Sequence, residues 1–368
     1  MKRIFISIVL LFIIFANSSQ AQGADFVEMQ FKAKVEKILE ERNVDLEDGT
    51  VVKQQNLELK VLDGPEKDKI VKYEGINDLQ VLEQNYYKVG DKVIAQKTGS
   101  EGEGQYFVLD YVRTQSLLYL LIIFVVLVLF LAKLKGLKAL LSLAFTFLII
   151  MYFLVPQILA GQNPFWFAIL ASMIIALIVI YLTEGFNRLS HLSVIAVFIT
   201  LLITGLMSTW FGAWARLTGL ASEDASFLIG LTQSPINFQG LLLAGIILGT
   251  LGVLDDLIIS QMVTVQEIKK ANAQLTWIEV YGRAMKVGVA HLSSMTNTLF
   301  LAYAGASLPL LLLFSLKREP FLSFSQVVNH ELIATEIIRT LIGSICLVLA
   351  MPIATLLAAR YLKSHHQH

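Results

Sequence analysis

The sequence contains seven apolar stretches, each long enough to cross the roughly 30 Å hydrocarbon core of a bilayer as a helix. Hydrophobic residues make up 55% of the 368 residues and charged residues only 16%, and the mean hydropathy is +0.66. This composition is too apolar for a soluble protein, so it predicts a mostly α, polytopic helical membrane bundle. The predicted spans are residues 115–133, 137–159, 164–183, 190–210, 238–261, 287–315 and 335–359.

A different pattern precedes the first span. Residues 23–113 hold 19 of the 29 acidic residues and 13 of the 29 basic residues. In FVEMQFKAKVE, apolar and polar residues alternate from Val27 to Val35, a period of two that is typical of a strand. Four or five such short strands predict a small barrel or sandwich. The segment shows no metal cluster, nucleophile constellation or phosphate loop in its sequence, so we interpret it as a binding or docking module.

The N-terminus, MKRIFISIVLLFIIFANSSQAQG, has two bases, an apolar run of about 13 residues and a small-residue site before Gln22. This order is typical of a secretory signal peptide, and an uncleaved anchor is the alternative. Both interpretations predict that the β-rich segment is exported. The predicted domains are a signal peptide at 1–22, an exported β-rich domain at 23–113, a transmembrane helical domain at 114–362 and a cytoplasmic tail at 363–368.

Basic residues support this orientation. If the β-rich domain is outside, odd-numbered spans run inward and the C-terminus is cytoplasmic. The predicted inner segments then carry ten Lys or Arg residues, and the predicted outer loops and helix ends carry four. An excess of positive charge inside is the rule for membrane proteins.

Two adjacent aspartates, Asp255 and Asp256, lie within the fifth predicted span. An ionised carboxylate is costly in hydrocarbon, so both need a partner, water or a proton. On a 3.6-residue helix, Gly245, Gly249 and Gly252 share one face with Asp256, and glycines at this spacing let another helix approach closely. Asp255 is turned about 100° away from that face.

The sixth predicted span carries a polar stripe that includes His291 and Thr298. His291 and Asp256 each lie about five residues from the inner end of their spans, so we expect the stripe to face Asp256. A structural polar contact at the inner rim is the alternative for the aspartates, and an interhelical hydrogen bond is the alternative for His291 and for Asn297. The predicted ion, proton or substrate path is Asp255, Asp256, His291, Thr296, Asn297 and Thr298, and the predicted packing residues are Gly245, Gly249, Gly252 and Gly305.

Several enzyme classes are disfavoured. An intramembrane aspartyl protease needs aspartates from two helices, and after residue 113 the only aspartates are Asp224, Asp255 and Asp256. NHELIA starts like a zinc-protease motif, but Ala334 stands where the second histidine belongs. There is no Walker A loop. We therefore predict no enzymatic activity, no metal, no cofactor and no nucleic-acid partner.

Four segments carry a family resemblance: GVLDDLIISQ, SSMTNTLFLAYAGASLPLLLLF, TEIIRTLIGSICLVLAMPIA and TEGFNRLS. Together they closely resemble the YibE/F-like bacterial membrane proteins over about residues 115–360. The resemblance implies a bundle of seven or eight spans in the bacterial inner or plasma membrane, and it implies no particular reaction. The motif positions that it carries over are Gly252, Asp255, Asp256, Asn297, Thr298, Tyr303, Gly305, Glu336 and Arg339. Glu336 and Arg339 are three residues apart at the outer end of the last predicted span, so we expect them to form a local ion pair.

The leading functional prediction is a secondary transporter or permease-like protein for an ion or small solute, with an intramembrane Asp/His site. The alternative is a membrane scaffold or accessory subunit that docks a partner through residues 23–113. The expected partners are the lipid bilayer, an ion or small-molecule substrate, and a second copy or another protein.

Overall fold

The computed structural model of the protein describes residues 29–45, 51–77, 86–98, 104–231, 235–316 and 322–362. They form two compact units that divide between Phe130 and Leu131. The predicted signal peptide at 1–22 and the predicted tail at 363–368 lie outside the described residues.

The first unit is built on one antiparallel sheet of five strands in the described residues, which agrees with the strands expected from the alternating pattern. The sheet order is β3-β2-β1-β4-β5, and β3 and β5 also approach each other. The sheet therefore curls into a partly open barrel of the OB type. The strands are β1 Met29–Asp45, β2 Val51–Val61, β3 Ile70–Glu74, β4 Lys92–Thr98 and β5 Gln105–Tyr111.

Strand β1 holds the barrel together because it pairs on both sides. Its first residues pair with β4 and its later residues with β2, and register shifts after Val35 and Ile38 bend it between the two. Alternate residues point inward, so Phe31 and Ala33 are buried with Leu57 and other apolar residues of the neighbouring strands. The period of two in the sequence thus becomes one apolar interior.

A polar clamp closes the barrel on one side. The Glu66 carboxylate accepts a hydrogen bond from Lys97 Nζ at 2.9 Å and another from the Tyr106 hydroxyl at 2.9 Å. These two bonds, with that from Lys97 the larger cause, lower the pKa of Glu66 below its ordinary value of 4.5. The clamp joins the turn after β2 to strands β4 and β5.

The remaining elements are helical. They are α1 Thr114–Ile149, a π-helical segment Ile150–Leu154, α2 Val155–Leu159, α3 Pro164–Glu184, α4 Arg188–Trp214, α5 Glu223–Leu231, α6 Phe238–Ala271, α7 Trp277–Ala306, α8 Leu308–Ser315, α9 Phe324–Asn329 and α10 Glu331–Tyr361.

Within the described part of the chain, five helical stretches are long and apolar enough to cross a membrane: Thr114–Leu159, Pro164–Glu184, Arg188–Trp214, Phe238–Ala271 and Glu331–Tyr361. The protein is therefore a helical membrane protein, but the predicted count of seven spans is not confirmed. The two predicted spans at 115–133 and 137–159 share one 46-residue stretch. Its backbone breaks at Lys133, where φ is 49° and ψ is −125°. The predicted span at 287–315 falls on α7 and α8, which are not among the five stretches, and α8 is only eight residues long.

Helix starts follow from capping side chains. The Asn163, Asn187 and Asn237 side chains accept a backbone N–H at the beginnings of α3, α4 and α6. Thr276 and Glu279 form a reciprocal capping box at the beginning of α7. Asn237 and Thr276 thus determine where α6 and α7 begin.

Helix α6 is the centre of the helical unit and packs against α3, α4, α7 and α10. The buried Gln261 amide of α6 donates hydrogen bonds to Thr355 Oγ1 of α10 at 2.8 Å and to the Ala284 carbonyl of α7 at 3.0 Å. Further along, Lys269 Nζ donates to the Ala359 carbonyl of α10 at 2.6 Å. Contacts at both levels show that α6 and α10 run parallel.

Candidate functional site

One face of α6 is lined by glycine and ends at a carboxylate. Gly245, Gly249, Gly252 and Asp256 are all exposed on this face, and we call these four residues the α6 track. At 1.5 Å per residue, the track is about 16 Å long. Asp256 therefore lies at the end of a row of three glycines, which have no side chains.

Two side chains from neighbouring helices flank the track. A Cβ atom built on Gly245 would lie 3.9 Å from Arg339 Nη2 of α10, and one built on Gly249 would lie 2.8 Å from the Tyr303 hydroxyl of α7. A Cβ atom on Gly252 would meet no atom within 4 Å. The track is therefore bordered by Arg339, narrowed by Tyr303 and open beyond it.

The register of α6 and α7 decides which residue lies opposite Asp256. The two helices are antiparallel, since Gln261 contacts Ala284 while Gly249 contacts the more distant Tyr303. Asp256 lies seven residues after Gly249, and Thr296 lies seven residues before Tyr303, so each pair shares a face two turns apart. Thr296, which is half-buried, therefore lies on the same face of α7 as Tyr303, displaced towards the Asp256 end of the track.

His291 lies elsewhere on α7. It is twelve residues from Tyr303, about 120° around the helix, and it is exposed. Among the described residues, no hydrogen bond or ion pair joins His291 to Asp256, so the expected pairing is not formed in this structure. His291 lies seven residues after the buried Ala284 and shares its face of α7, but this face is exposed at the level of His291.

Asn297 and Thr298 are also on exposed parts of α7. The Thr298 hydroxyl donates to the Ser294 carbonyl of its own helix at 3.0 Å, so it is satisfied locally. A Cβ atom on Gly305 of α7 would meet no atom within 4 Å. Among the glycines of the track, Gly249 has the closest neighbour. Of the predicted path residues on α7, Thr296 shares the face of Tyr303.

The two aspartates have different surroundings. Asp256 is exposed, although the sequence predicted that it would pack against protein, whereas Asp255 is half-buried. Among the described residues, no atom lies within 4 Å of a Cβ atom built on Gly252, one turn before Asp256. The Asp256 N–H donates to Asp255 Oδ1 at 3.1 Å. Within the described ranges, neither carboxylate forms an ion pair, so both keep an uncompensated charge when ionised.

A cavity of about 200 Å³ lies at the other end of the track, where α5, α6 and α10 begin. Thr335, Glu336 and Arg339 of α10 supply its polar wall. Arg339 Nη1 pairs with Glu336 Oε1 at 3.0 Å, which confirms the predicted i,i+3 ion pair. In the described structure, Arg339 Nε and the Thr335 hydroxyl are buried without a hydrogen-bond partner. Because Arg339 also borders Gly245, the cavity and the track are adjacent.

A carboxylate fixes the frame of the cavity. Glu331, at the start of α10, accepts hydrogen bonds from the Thr218 hydroxyl at 2.8 Å and the Gly219 N–H at 2.9 Å. Gly219 has φ +78°, and a Cβ atom there would lie 2.3 Å from the Phe238 carbonyl oxygen. Only glycine fits this position. The turn after α4 is thereby held against the beginnings of α6 and α10.

Sequence reasoning missed Thr335 and the role of Arg339 in a cavity. Arg339 was visible as half of an i,i+3 pair, but the spacing shows nothing of the empty space beside it. Thr335 precedes Glu336 and carries no motif of its own. Its distinguishing property, a buried hydroxyl without a partner, appears only in three dimensions.

No group of three or more His, Cys, Asp or Glu residues that could hold a metal occurs in the described residues. Comparisons with curated proteins and with solved structures found no match. A family model described as YibE/F-like protein matches residues 120–364, which is the major part of the chain and includes the whole α6 track and the cavity. The chain therefore belongs to the YibE/F-like family.

Proposed function

We propose that the protein is a secondary transporter or permease-like protein for an ion or small solute, with its path along the α6 track. The observation that carries this proposal is the pair Asp255 and Asp256, two adjacent carboxylates without an ion-pair partner among the described residues, in the interior of the 34-residue apolar helix α6. Ionisable residues inside membrane helices usually mark ion or substrate paths.

Each part of the track has a role in this proposal. Asp256 is exposed at its end and binds a proton or cation, while Asp255 sets the local negative charge beside it. Thr296, on the same face of α7 as Tyr303, supplies a hydroxyl oxygen. The glycines leave room for a solute next to the backbone, and Tyr303 narrows the passage at Gly249. His291, Asn297 and Thr298 lie on other faces of α7 and belong to the path only if that helix rotates.

We further propose that the protein lies in the bacterial inner or plasma membrane with its β-rich domain outside and its C-terminus in the cytoplasm. The distribution of basic residues supports this orientation. The track would then end at Asp256 towards the cytoplasm, and the cavity would lie towards the outside. Cysteine labelling of either end in intact cells and in inverted vesicles measures this directly.

Flux is the test of the transport proposal. The purified protein is reconstituted in liposomes, and uptake is followed under a pH gradient and under sodium or potassium gradients. Asp256→Asn removes the charge with little change in shape, and we expect it to reduce gradient-driven flux at least about tenfold. Glu267→Gln is the matched control, because Glu267 lies on the same helix but is exposed and paired with Lys270 at 2.7 Å. Equal flux in Asp256→Asn and wild type, in every assay that shows activity, refutes the path.

The compact first unit supports a second candidate function. The barrel has its own buried core, including Leu57 and Val93, and belongs to a compact unit that ends at Phe130, within α1. We propose as the alternative that it docks a partner protein, with the helical unit as its membrane anchor. Affinity purification after detergent extraction should then recover a stoichiometric partner that is lost when the barrel is deleted.

A further inference from the structure

We infer that the cavity where α5, α6 and α10 begin binds the carboxylate of a small organic acid, through Arg339 and Thr335. This inference names a substrate class for the proposed permease, and its meaning for transport rests on that proposed function. Its evidence is the cavity itself, two buried donors without partners, and the direction of three helices.

The free edge of Arg339 fits a carboxylate. Nη1 is engaged by Glu336 at 3.0 Å, while Nε is buried without a partner in the described structure. Nε and Nη2 form one edge of the planar guanidinium, and their two N–H groups are parallel. This edge matches the two oxygens of a carboxylate, which is the usual bidentate geometry of arginine recognition. The Glu336 pair therefore holds the guanidinium with its second edge available.

Thr335 is the second donor, and it differs from the other threonines of its helix. Thr340 donates its hydroxyl to the Glu336 carbonyl at 2.8 Å, and Thr355 donates to the Met351 carbonyl at 2.7 Å. This bond to the carbonyl four residues back is the ordinary solution for a threonine in a helix. Thr335 makes no such bond, although it is only 9% exposed and lines the cavity. Its hydroxyl is available to a ligand oxygen.

Helix direction and nearby charge narrow the ligand to a monoanion. Residues near the N-termini of α5, α6 and α10 line the cavity, and helix N-termini carry partial positive charge. Against this stand two carboxylates at the cavity, Glu336, which is paired, and Asp224, which is exposed. They disfavour a second negative charge, so the site suits a carboxylate better than a phosphate dianion.

The size and the apolar wall describe the rest of the ligand. About 200 Å³ is below the roughly 300–1,000 Å³ of pockets for drug-sized molecules, so the solute is small. Leu228, Leu241 and Leu242 line the wall beside the polar group. A short aliphatic or aromatic tail would pack there. The ligand class is therefore a short-chain or aromatic monocarboxylate.

Calorimetric titration of the full-length protein in detergent tests this inference. The probes are acetate, butyrate and benzoate, with butyramide as the neutral isostere and inorganic phosphate and chloride as competing anions. We expect saturable binding of at least one carboxylate and none of butyramide. Arg339→Lys keeps the charge but loses the two-donor edge, and Thr335→Val keeps the shape but loses the hydroxyl, so each should weaken binding at least about tenfold.

Two control variants lie on the same helix. Arg360→Lys changes an arginine that stacks over Trp277 away from the cavity, and Thr340→Val removes a hydroxyl that is satisfied by its own helix. Both should bind the carboxylate as wild type does. Thermal unfolding without ligand shows whether each variant is folded, and Thr335→Val decides the question if Arg339→Lys is not.

Three results overturn the inference: no carboxylate binds the wild type, phosphate or chloride competes equally well, or folded Arg339→Lys and Thr335→Val bind as tightly as wild type. The flux assay separates this outcome from that of the proposed function. If a carboxylate binds but no solute is transported, the permease proposal is wrong and the proposed binding site stands. If another solute is transported and no carboxylate binds, the permease proposal stands and the proposed binding site is wrong.

Discussion

The hydroxyl of Tyr303 lies 2.8 Å from the point that a Cβ atom of Gly249 would occupy. This is the closest approach of a neighbouring side chain to the α6 track. Within the described residues, Tyr303 is the only bulky side chain of α7 that narrows the track. It does so at Gly249, the middle of the three glycines.

Gly249→Ala should be destabilising relative to Gly252→Ala. Alanine has the higher helix propensity by about 1 kcal/mol, and at Gly252 nothing within 4 Å opposes that gain. At Gly249 the new methyl group meets Tyr303, and crowding of this kind costs roughly 1–3 kcal/mol. Thermal unfolding in detergent measures the difference. Adding Tyr303→Phe should relieve Gly249→Ala but leave Gly252→Ala unchanged, and the absence of this coupling contradicts the contact.

Lys269→Met should loosen the end of α10, whereas Lys270→Met should not. Lys269 Nζ donates to the Ala359 carbonyl at 2.6 Å and the Leu362 carbonyl at 2.5 Å, and hydrogen bonds to charged groups are worth about 1.5–3 kcal/mol. Lys270 forms only an exposed pair with Glu267, which contributes about 0–1 kcal/mol. Hydrogen exchange of the last turn of α10 should become about tenfold faster in Lys269→Met alone. Equal exchange in both variants would show that the carbonyl bonds contribute nothing.

Gly288→Ala should disrupt the junction of α6, α7 and α10. A Cβ atom there would lie 2.6 Å from Met351 Sδ and 2.8 Å from Gln261 Oε1, so the buried Gln261 amide would have to move. We expect a loss of roughly 1–3 kcal/mol in the free energy of unfolding. Gly282→Ala is the control on the same helix, because a Cβ atom there meets nothing within 4 Å. A similar melting temperature for both variants would argue against this packing.

The barrel should lose stability in acid through Glu66. Its pKa is lowered in the folded state, by Lys97 first and then by Tyr106, so its contribution is present above the ordinary value of 4.5 and is lost as the pH falls through the lower folded value. Glu66→Gln should reduce hydrogen-exchange protection of the barrel at pH 7 and flatten its dependence on pH below about 4.5. Glu74→Gln, an exposed carboxylate at the end of β3, is the control. If the protection of the barrel in Glu66→Gln depends on pH below about 4.5 as it does in the wild type, the hydrogen bonds to Glu66 do not stabilise the barrel.

Local patterns in the sequence predicted local structure well. The alternation from Phe31 to Val35 became the inward face of β1, and the i,i+3 spacing of Glu336 and Arg339 became an ion pair. Both depend on residues that are close along the chain. The glycine spacing predicted a close approach of another helix, and at Gly249 the neighbour is the hydroxyl of the Tyr303 side chain.

The rotation of one helix against another could not be predicted in the same way. The His291 stripe was expected to meet Asp256 because both are polar and at similar depth. The structure instead brings Tyr303 of α7 to the track at Gly249, and the face of α7 that carries His291 is buried at Ala284 but exposed at His291 itself. Spacing along the chain gives the face on which a residue lies, whereas packing between distant segments decides how much of that face is covered.

The constant register of α6 and α10 has a mechanical consequence. Gln261 and Thr355 are 94 residues apart along the chain, and Lys269 and Leu362 are 93 apart, so the two helices neither slide nor diverge between these levels. The glycines of the track, on α6, and Arg339, on α10, are therefore held in a fixed register. We therefore expect widening of the passage at Gly249 to require movement of Tyr303 on α7 rather than a shift between α6 and α10.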